Sequence, residues 1–340
     1  MIEFKKYNSI ENTYNKDFLE KIKEEGHDSC QFVVQEKVHG ANCCFVMDGK
    51  EVYFAKRTGM MEEGEKFYDY EELLDRYKDR VFFLFNCIKE KYSDIESILV
   101  YGEMFGGRYP HAEVKNNSKV TCIQKGVSYC PIHEFYGFDI YVKGTDLNRY
   151  LPLYEMNKFL EECGFFYAKT LFEGTIDECL AYPNAFQSQI AEWLGLPLIE
   201  DNVCEGIVIR PVEPLYLNNG SRLLLKNKNS KFAEKKSVKK RQLALFEEPT
   251  YSKELTDLLA ITEDYIVENR LNNAVSKIGE VTFPRDMGKV IGMLSKDVLD
   301  DFLKEHSGSY VALEKSEQKI LNRHINKLST NLIKSVYMSS

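Results

Sequence analysis

The feature that most limits how this chain can fold is a change of period part-way along it. Up to about residue 235, apolar residues alternate or cluster in short runs; beyond Arg241 they recur at helical spacing. The runs QFVVQEKV (31–38), SILVYGEMF (97–105), HEFYGFDIYV (133–142), EGIVIRPV (205–212) and RLLLKNK (222–228) are rich in β-branched, aromatic and aliphatic residues and read as strands. In CCFVMDGKEVYFAKR (43–57), Asp48-Gly49 between two apolar runs signals a hairpin. Helical patches lie between the strands, at 67–92, 154–164 and around 186–195. Strands interrupted by helices predict an α+β domain of antiparallel or mixed sheets. Further on, Leu255, Leu258, Leu259 and Ile266, then Val298, Leu299, Phe302 and Leu303, predict helices, the second set after a Ser295 N-cap. The expected organisation is a domain over 1–238, a linker over 239–247 and a small all-α domain over 248–340.

Charge narrows the possible partners. The net charge of −8 argues against a protein held to nucleic acid by bulk charge, so such binding would need a local basic cleft. Basic clusters occur at Lys56-Arg57, Lys226–Lys231 and KKSVKKR (235–241), the last with five basic residues in seven. The nine cysteines include no C-x-x-C pair, and Cys130-Pro-Ile-His133 lacks a second half with metal-ligand spacing. Reduced thiols, no membrane-length apolar run and no apolar core at the N-terminus predict an intracellular, non-secreted protein.

Several segments carry chemistry. Glu36-Lys37-Val38-His39-Gly40-Ala41-Asn42 ends an apolar strand in a lysine with a glycine three residues on. Such a lysine is ordinarily an exposed strand end. To act as a nucleophile it must lose its proton, which a nearby cation or partial desolvation promotes. Gly40 would let the backbone approach a nucleotide. Lys226-Asn227-Lys228 puts two ammonium groups on one face of a strand, suited to a shared phosphate. Glu205 stands at the mouth of the apolar strand that holds Arg210, as an acid able to hold a hydrated divalent ion. Glu103, in Tyr101-Gly102-Glu103, suits a ribose hydroxyl; Phe138, in Phe138-Asp139-Ile140, could stack on a base or pack in the core.

Taken in order, K-x-x-G, G-E, F-D, E-G-x-V and K-x-K resemble the hallmark of the covalent nucleotidyltransferase superfamily of ligases and capping enzymes. His39 in EKVHGAN, the helical C-terminal part, AKRTG (55–59), LKNKNSKFAEKK (225–236) and NRLNNAVSKIGE (269–280) resemble the RNA ligase 2 family, the phage-type double-stranded RNA ligases, more than DNA ligases or GTP-using capping enzymes. The resemblance covers most of the chain and is weakest over 145–200. One departure is Arg210, where the phage type has lysine.

The resemblance implies an ATP-grasp-like nucleotidyltransferase domain and three phosphoryl transfers. Lys37 takes AMP from ATP; the AMP passes to an RNA 5′-phosphate; a 3′-OH then seals the strand, as at a nick in duplex RNA. It implies that Glu205 holds Mg²⁺ through water (Mn²⁺ is equally an oxygen-seeking ion), and that Lys226 and Lys228 contact the α-phosphate. Glu103 would hold the ribose, Phe138 stack on adenine, Glu36 offer its backbone to adenine, and Val38 and Asn42 line the ATP site. His39, Arg57, Arg210, Arg270 and Asp297 would serve RNA, with Arg57 also near the ribose. The expected location is cytoplasmic, or a host cell's cytoplasm for a viral chain. A non-catalytic RNA-binding module on the same scaffold is disfavoured, because Lys37, Glu205, Lys226 and Lys228 are all intact.

Overall fold

A computed structural model describes residues 4–235 and 251–338. Most of the basic run at 235–241 and the expected linker at 239–247 lie outside the described residues. The chain divides into two compact units, Met1–Lys231 and Phe232–Ser340.

The strands of the first unit are, in chain order, β1 (Glu11–Asn12), β2 (Phe32–Lys37), β3 (Ala41–Met47), β4 (Val52–Lys56), β5 (Gly59–Met60), β6 (Ile95–Gly106), β7 (His133–Gly144), β8 (Asn148–Tyr150), β9 (Thr170–Gly174), β10 (Gly206–Pro211) and β11 (Leu225–Lys228). Its helices are α1 (Lys16–Glu24), α2 (Tyr70–Lys91), α3 (Leu153–Glu162), α4 (Ile176–Leu180) and α5 (Ile190–Trp193). The strands form two sheets, ordered β1-β11-β10-β2-β9 and β5-β4-β3-β6-β7-β8. All pairings are antiparallel except that of β1 with β11, so the α+β reading holds.

Each element follows from its pattern. The β3–β4 hairpin turns at Asp48, whose carboxylate accepts from the amides of Lys50 and Glu51, while Gly49 takes φ +83°. Along β3, Phe45 enters a core with Tyr77 and Phe135, whereas Cys44 and Val46 join Tyr101 and Leu224 in a second core on the other face. That is the two-residue period of a strand buried on both faces. Helix α2 presents Leu73, Tyr77, Val81, Leu84 and Ile88 in one stripe against the six-stranded sheet. Helix α1, absent from the helical patches expected above, starts at Asn15, whose side chain accepts from the Phe18 amide.

The second unit comprises α6 (Lys253–Thr262), α7 (Glu268–Ile278), α8 (Met287–Ala312) and α9 (Lys315–Tyr337) around one apolar core. Ser252 caps α6 through the Leu255 amide. Ser295 is not an N-cap: α8 begins at Met287, and the Ser295 hydroxyl instead meets Ser329 on α9. Val298 and Phe302 are buried as their spacing predicts. Among the described residues, no helix is long and apolar enough to cross a membrane.

Gly40 shows how tightly the two sheets are joined. A Cβ there would stand 2.2 Å from the Met104 carbonyl oxygen, so the glycine is required by the neighbouring strand β6. We expect Gly40→Ala to destabilise the protein by roughly 1–3 kcal/mol, as overpacking does. A thermal melt indistinguishable from that of the parent chain would contradict this.

Candidate active site

The register of the first sheet assembles the charged centre. Lys37 on β2 pairs with Gly206 on β10, which pairs with Lys228 on β11, so the two lysines flank one glycine across three adjacent strands. Gly206 adopts φ +152°, and a Cβ there would meet the Asn227 carbonyl oxygen at 2.2 Å. Glycine is therefore demanded at that rung. Glu205, just before it, is completely buried and lies between the two lysines. Its Oε2 is 2.8 Å from Lys37 Nζ and its Oε1 is 2.8 Å from Lys228 Nζ. His39 Nδ1 stands 3.6 Å from the same carboxylate. Burial opposes ionisation of Glu205, but the Lys228, Lys37 and His39 charges prevail and hold its carboxyl well below the usual range.

Lys37 opens onto a cavity between the sheets, with about 550 Å³ of empty space. Glu36, Lys37 and Val38 from β2 and the residues after it, Asn42 from β3, Glu103 from β6, Phe138 from β7 and Arg210 from β10 all line it. These are the cavity members that the motifs anticipate. Glu205, Lys228 and His39 stand together at its Lys37 end, and Lys226 is on β11 two residues before Lys228. Arg57 lies near Glu103 and Tyr7; its guanidinium donates to the Asn8 carbonyl.

The motifs did not anticipate Tyr7, Ile10, Gln35, Tyr136, Ala168, Val208 and Leu224, which also line the cavity. Gln35 and Tyr136 carry a signal in hindsight, since each sits two residues from a motif residue on the same strand. Gln35 donates to the Ala168 carbonyl at 2.7 Å, and the Tyr136 hydroxyl donates to the Glu36 carbonyl at 3.2 Å. Tyr7 and Ile10 come from a segment without periodicity, brought in when β1 pairs with β11.

Against the Phe138 backbone is a second buried charge cluster. Asp139, fully buried, accepts from Arg222 at 2.6 Å, Tyr7 at 2.8 Å and Arg210 at 3.3 Å. The two arginines outweigh burial and keep its carboxyl below the usual range. Arg210 also donates to the Phe138 carbonyl and is only 2% exposed, so its guanidinium braces the cavity wall. Removing one member of such a buried network costs about 3–5 kcal/mol.

In the second unit, Arg270 is 1% exposed; its guanidinium donates to Asp297 at 2.7 Å, to Asp301 at 2.9 Å and to the Glu234 carbonyl. Lys277 holds the other oxygen of Asp297. Arg270 and Asp297 thus pair with each other and tie α7 to α8.

Comparison with known proteins places this chain in a family. Residues 31–228 match the family model described as RNA ligase, and residues 249–330 match that described as T4 RNA ligase 2 C-terminal. The chain therefore belongs to the RNA ligase family. Within that family it is similar to the mitochondrial RNA-editing ligase 1 of Trypanosoma brucei brucei, 29% identical over 84% of this chain and 73% of that one. It is also similar to RNA-editing ligase 2 of the same organism, 28% identical over 95% of this chain and 88% of the relative. Among solved structures, a Naegleria gruberi RNA ligase mutant with AMP and Mn aligns with a TM-score of 0.45 at 14% identity, over 67% of this chain. The present chain spans 57% of that protein's length. An archaeal ATP-dependent RNA ligase aligns over 99% of this chain and 67% of its own, with a TM-score of 0.42 at 15% identity.

Two carboxyls of the site are displaced upward. Burial lifts Glu36 to about 7 although Ser188 and the Gln189 amide bond its two oxygens. Burial, against the Lys37 charge and with the help of Glu205, lifts Glu103 to about 7. The folded protein holds these protons more tightly than the unfolded chain, so their contribution to stability declines as pH rises from about 4.5 to about 7. Glu36→Gln should remove its share and flatten the melting temperature across that window. An unchanged slope would contradict the assignment.

Proposed function

We propose that the chain is an ATP-dependent RNA ligase joining 3′-OH and 5′-phosphate RNA ends, with nicked duplex RNA as its substrate. The observation that carries the reading is Lys37 Nζ, 2.8 Å from Glu205, at one end of a cavity lined by residues suited to a nucleotide. In this reading the Lys37 amine, having lost a proton to solvent, attacks the α-phosphorus of ATP. A nitrogen–phosphorus bond forms, the bond to the bridging oxygen breaks, and pyrophosphate leaves. The AMP next passes to the RNA 5′-phosphate and frees Lys37. Attack by the 3′-OH then forms the phosphodiester and expels AMP.

The chain's own groups contribute position and charge. Phe138 offers a ring face to adenine, and Glu36 offers its backbone. Glu103 suits the ribose, with Arg57 beside it. Lys226 and Lys228 would meet the α-phosphate, Val38 and Asn42 complete the nucleotide site, and His39 lies where RNA or pyrophosphate would pass. Arg210 supports this site through Phe138 and Asp139. The C-terminal domain would read RNA ends, with Arg270 and Asp297 fixing the packing of α7 on α8.

Glu205, at the Lys37 end of the cavity, and Glu103, which lines it, are carboxylate oxygen donors of the kind a divalent cation takes. When bound there, with Glu205 as its holder, Mg²⁺ or Mn²⁺ would offset the ammonium–carboxylate attraction and screen the phosphates.

The test is transfer of label from α-labelled ATP to protein, followed by sealing of matched nicks in RNA:RNA, RNA:DNA and DNA:DNA duplexes. We expect label on the parent chain, none on Lys37→Ala, and on Glu205→Ala a loss of about 100-fold or more. Sealing should require RNA at the 3′-OH side, where the 2′-OH and A-form shape are readable. Label on Lys37→Ala would remove the nucleophile assignment, and equal sealing of an all-DNA nick would remove the RNA preference.

A further inference from the structure

Between β6 and β7 the chain runs through residues 107–132 without a helix or strand. Connections that long inside a compact unit are uncommon and are usually functional. This one is well anchored. The Gly107 amide donates to the Ile132 carbonyl, the Ile123 amide to the Gly106 carbonyl, and the Tyr109 hydroxyl to the Pro197 carbonyl.

Its second half touches three segments that carry the active site. The His39 amide donates to the Tyr129 hydroxyl at 2.9 Å, two residues from Lys37. Asn202, three residues before Glu205, exchanges two hydrogen bonds with the Ser128 backbone, at 2.8 and 2.6 Å. Lys231, three residues beyond Lys228, donates its ammonium to the Gly126 carbonyl at 2.8 Å. The loop is therefore built into the rim of the site.

Its charge is opposite in sign to that of the chain. Arg108, Lys115, Lys119 and Lys125 stand against one acid, Glu113, in a protein of net charge −8. All four cations are exposed, and none is paired with a carboxylate among the described residues. Arg108 and Lys125 both lie near enough to the Cys122 thiol to act on it, and Gly126, next to Lys125, accepts from Lys231. Asn117 and Ser118 add exposed polar groups. An anchored, predominantly basic rim next to a phosphoryl-transfer centre matches the charge of a phosphodiester backbone.

We propose that the 107–132 loop is a phosphate-backbone-binding rim that holds the RNA substrate against the active site, through Arg108, Lys119 and Lys125. This rests on the RNA ligase reading for its substrate, but its test can fail separately. The probe is a nicked RNA duplex with a 5′-phosphate, and the protein is the full chain carrying Arg108→Ala, Lys119→Ala and Lys125→Ala together. Three quantities are read: label uptake from ATP, the dissociation constant for the duplex, and its dependence on salt.

We expect label uptake and melting temperature to match the parent chain, and RNA binding to weaken about tenfold or more at moderate salt. The slope of log K against log[salt] should fall by about 0.9 for each phosphate that the variant no longer neutralises. The triple Arg108→Lys, Lys119→Arg, Lys125→Arg variant, which keeps the charges, should retain binding. Parent-like affinity and salt slope in the alanine variant would overturn the proposal. Equal weakening in the charge-keeping variant would do the same, because it would point to loop structure instead of phosphate binding. Absence of label on the parent chain would overturn the ligase reading, while the binding measurements would still decide the loop.

Discussion

Everything at the centre of the first unit is arranged around one buried carboxylate held between two ammonium groups. Glu205 would be costly to ionise in that position by itself; Lys37 and Lys228, each 2.8 Å away, reverse the balance. The converse also holds. Two lysines facing each other across a single glycine rung would repel unless an anion lay between them. The carboxylate and the two ammonium groups therefore accommodate one another in the buried centre.

A second buried cluster performs a supporting task with the opposite stoichiometry. Asp139 receives two guanidinium groups and a phenol, and one of those guanidinium groups, Arg210, also holds the Phe138 carbonyl. The ring can offer a flat wall to the cavity because the backbone behind it cannot move without separating these charges. Arg270 does similar work in the second unit, where it joins α7 to α8 through Asp297 and Asp301. In both places an arginine that looks in sequence like a candidate for a phosphate proves to be an internal tie. A fork of several donors can satisfy two acids and a carbonyl at once.

What could be read from the sequence was what local period and residue chemistry determine. The strands carrying Lys37, Glu103, Phe138 and Lys228 were legible because each is a short apolar run ending in, or interrupted by, a residue that does not belong in a core. The Asp48-Gly49 hairpin was legible from its turn chemistry. Ser295 misled because a serine ahead of an apolar period looks the same at a helix start and inside a long helix; only packing against Ser329 distinguishes them. Tyr7 and Ile10 were illegible for a different reason. Their place is set by the parallel pairing of β1 with β11, which joins segments from opposite ends of the unit and leaves no trace in local sequence. Gly40 was read as a space for a nucleotide, whereas the steric demand comes from Met104 on the adjacent strand.

That pairing of β1 with β11 has a consequence for how the protein comes into being. The cavity takes Tyr7 and Ile10 from the start of the first unit and Leu224 from its end, with β2, β6 and β7 supplying the middle. No contiguous fragment shorter than 7–224 contains the whole wall. A chain emerging from the ribosome cannot complete this cavity until residue 224 and beyond have joined the sheet. A ligand filling the cavity would touch segments from both ends of the unit, so its binding energy would be felt by the unit as a whole.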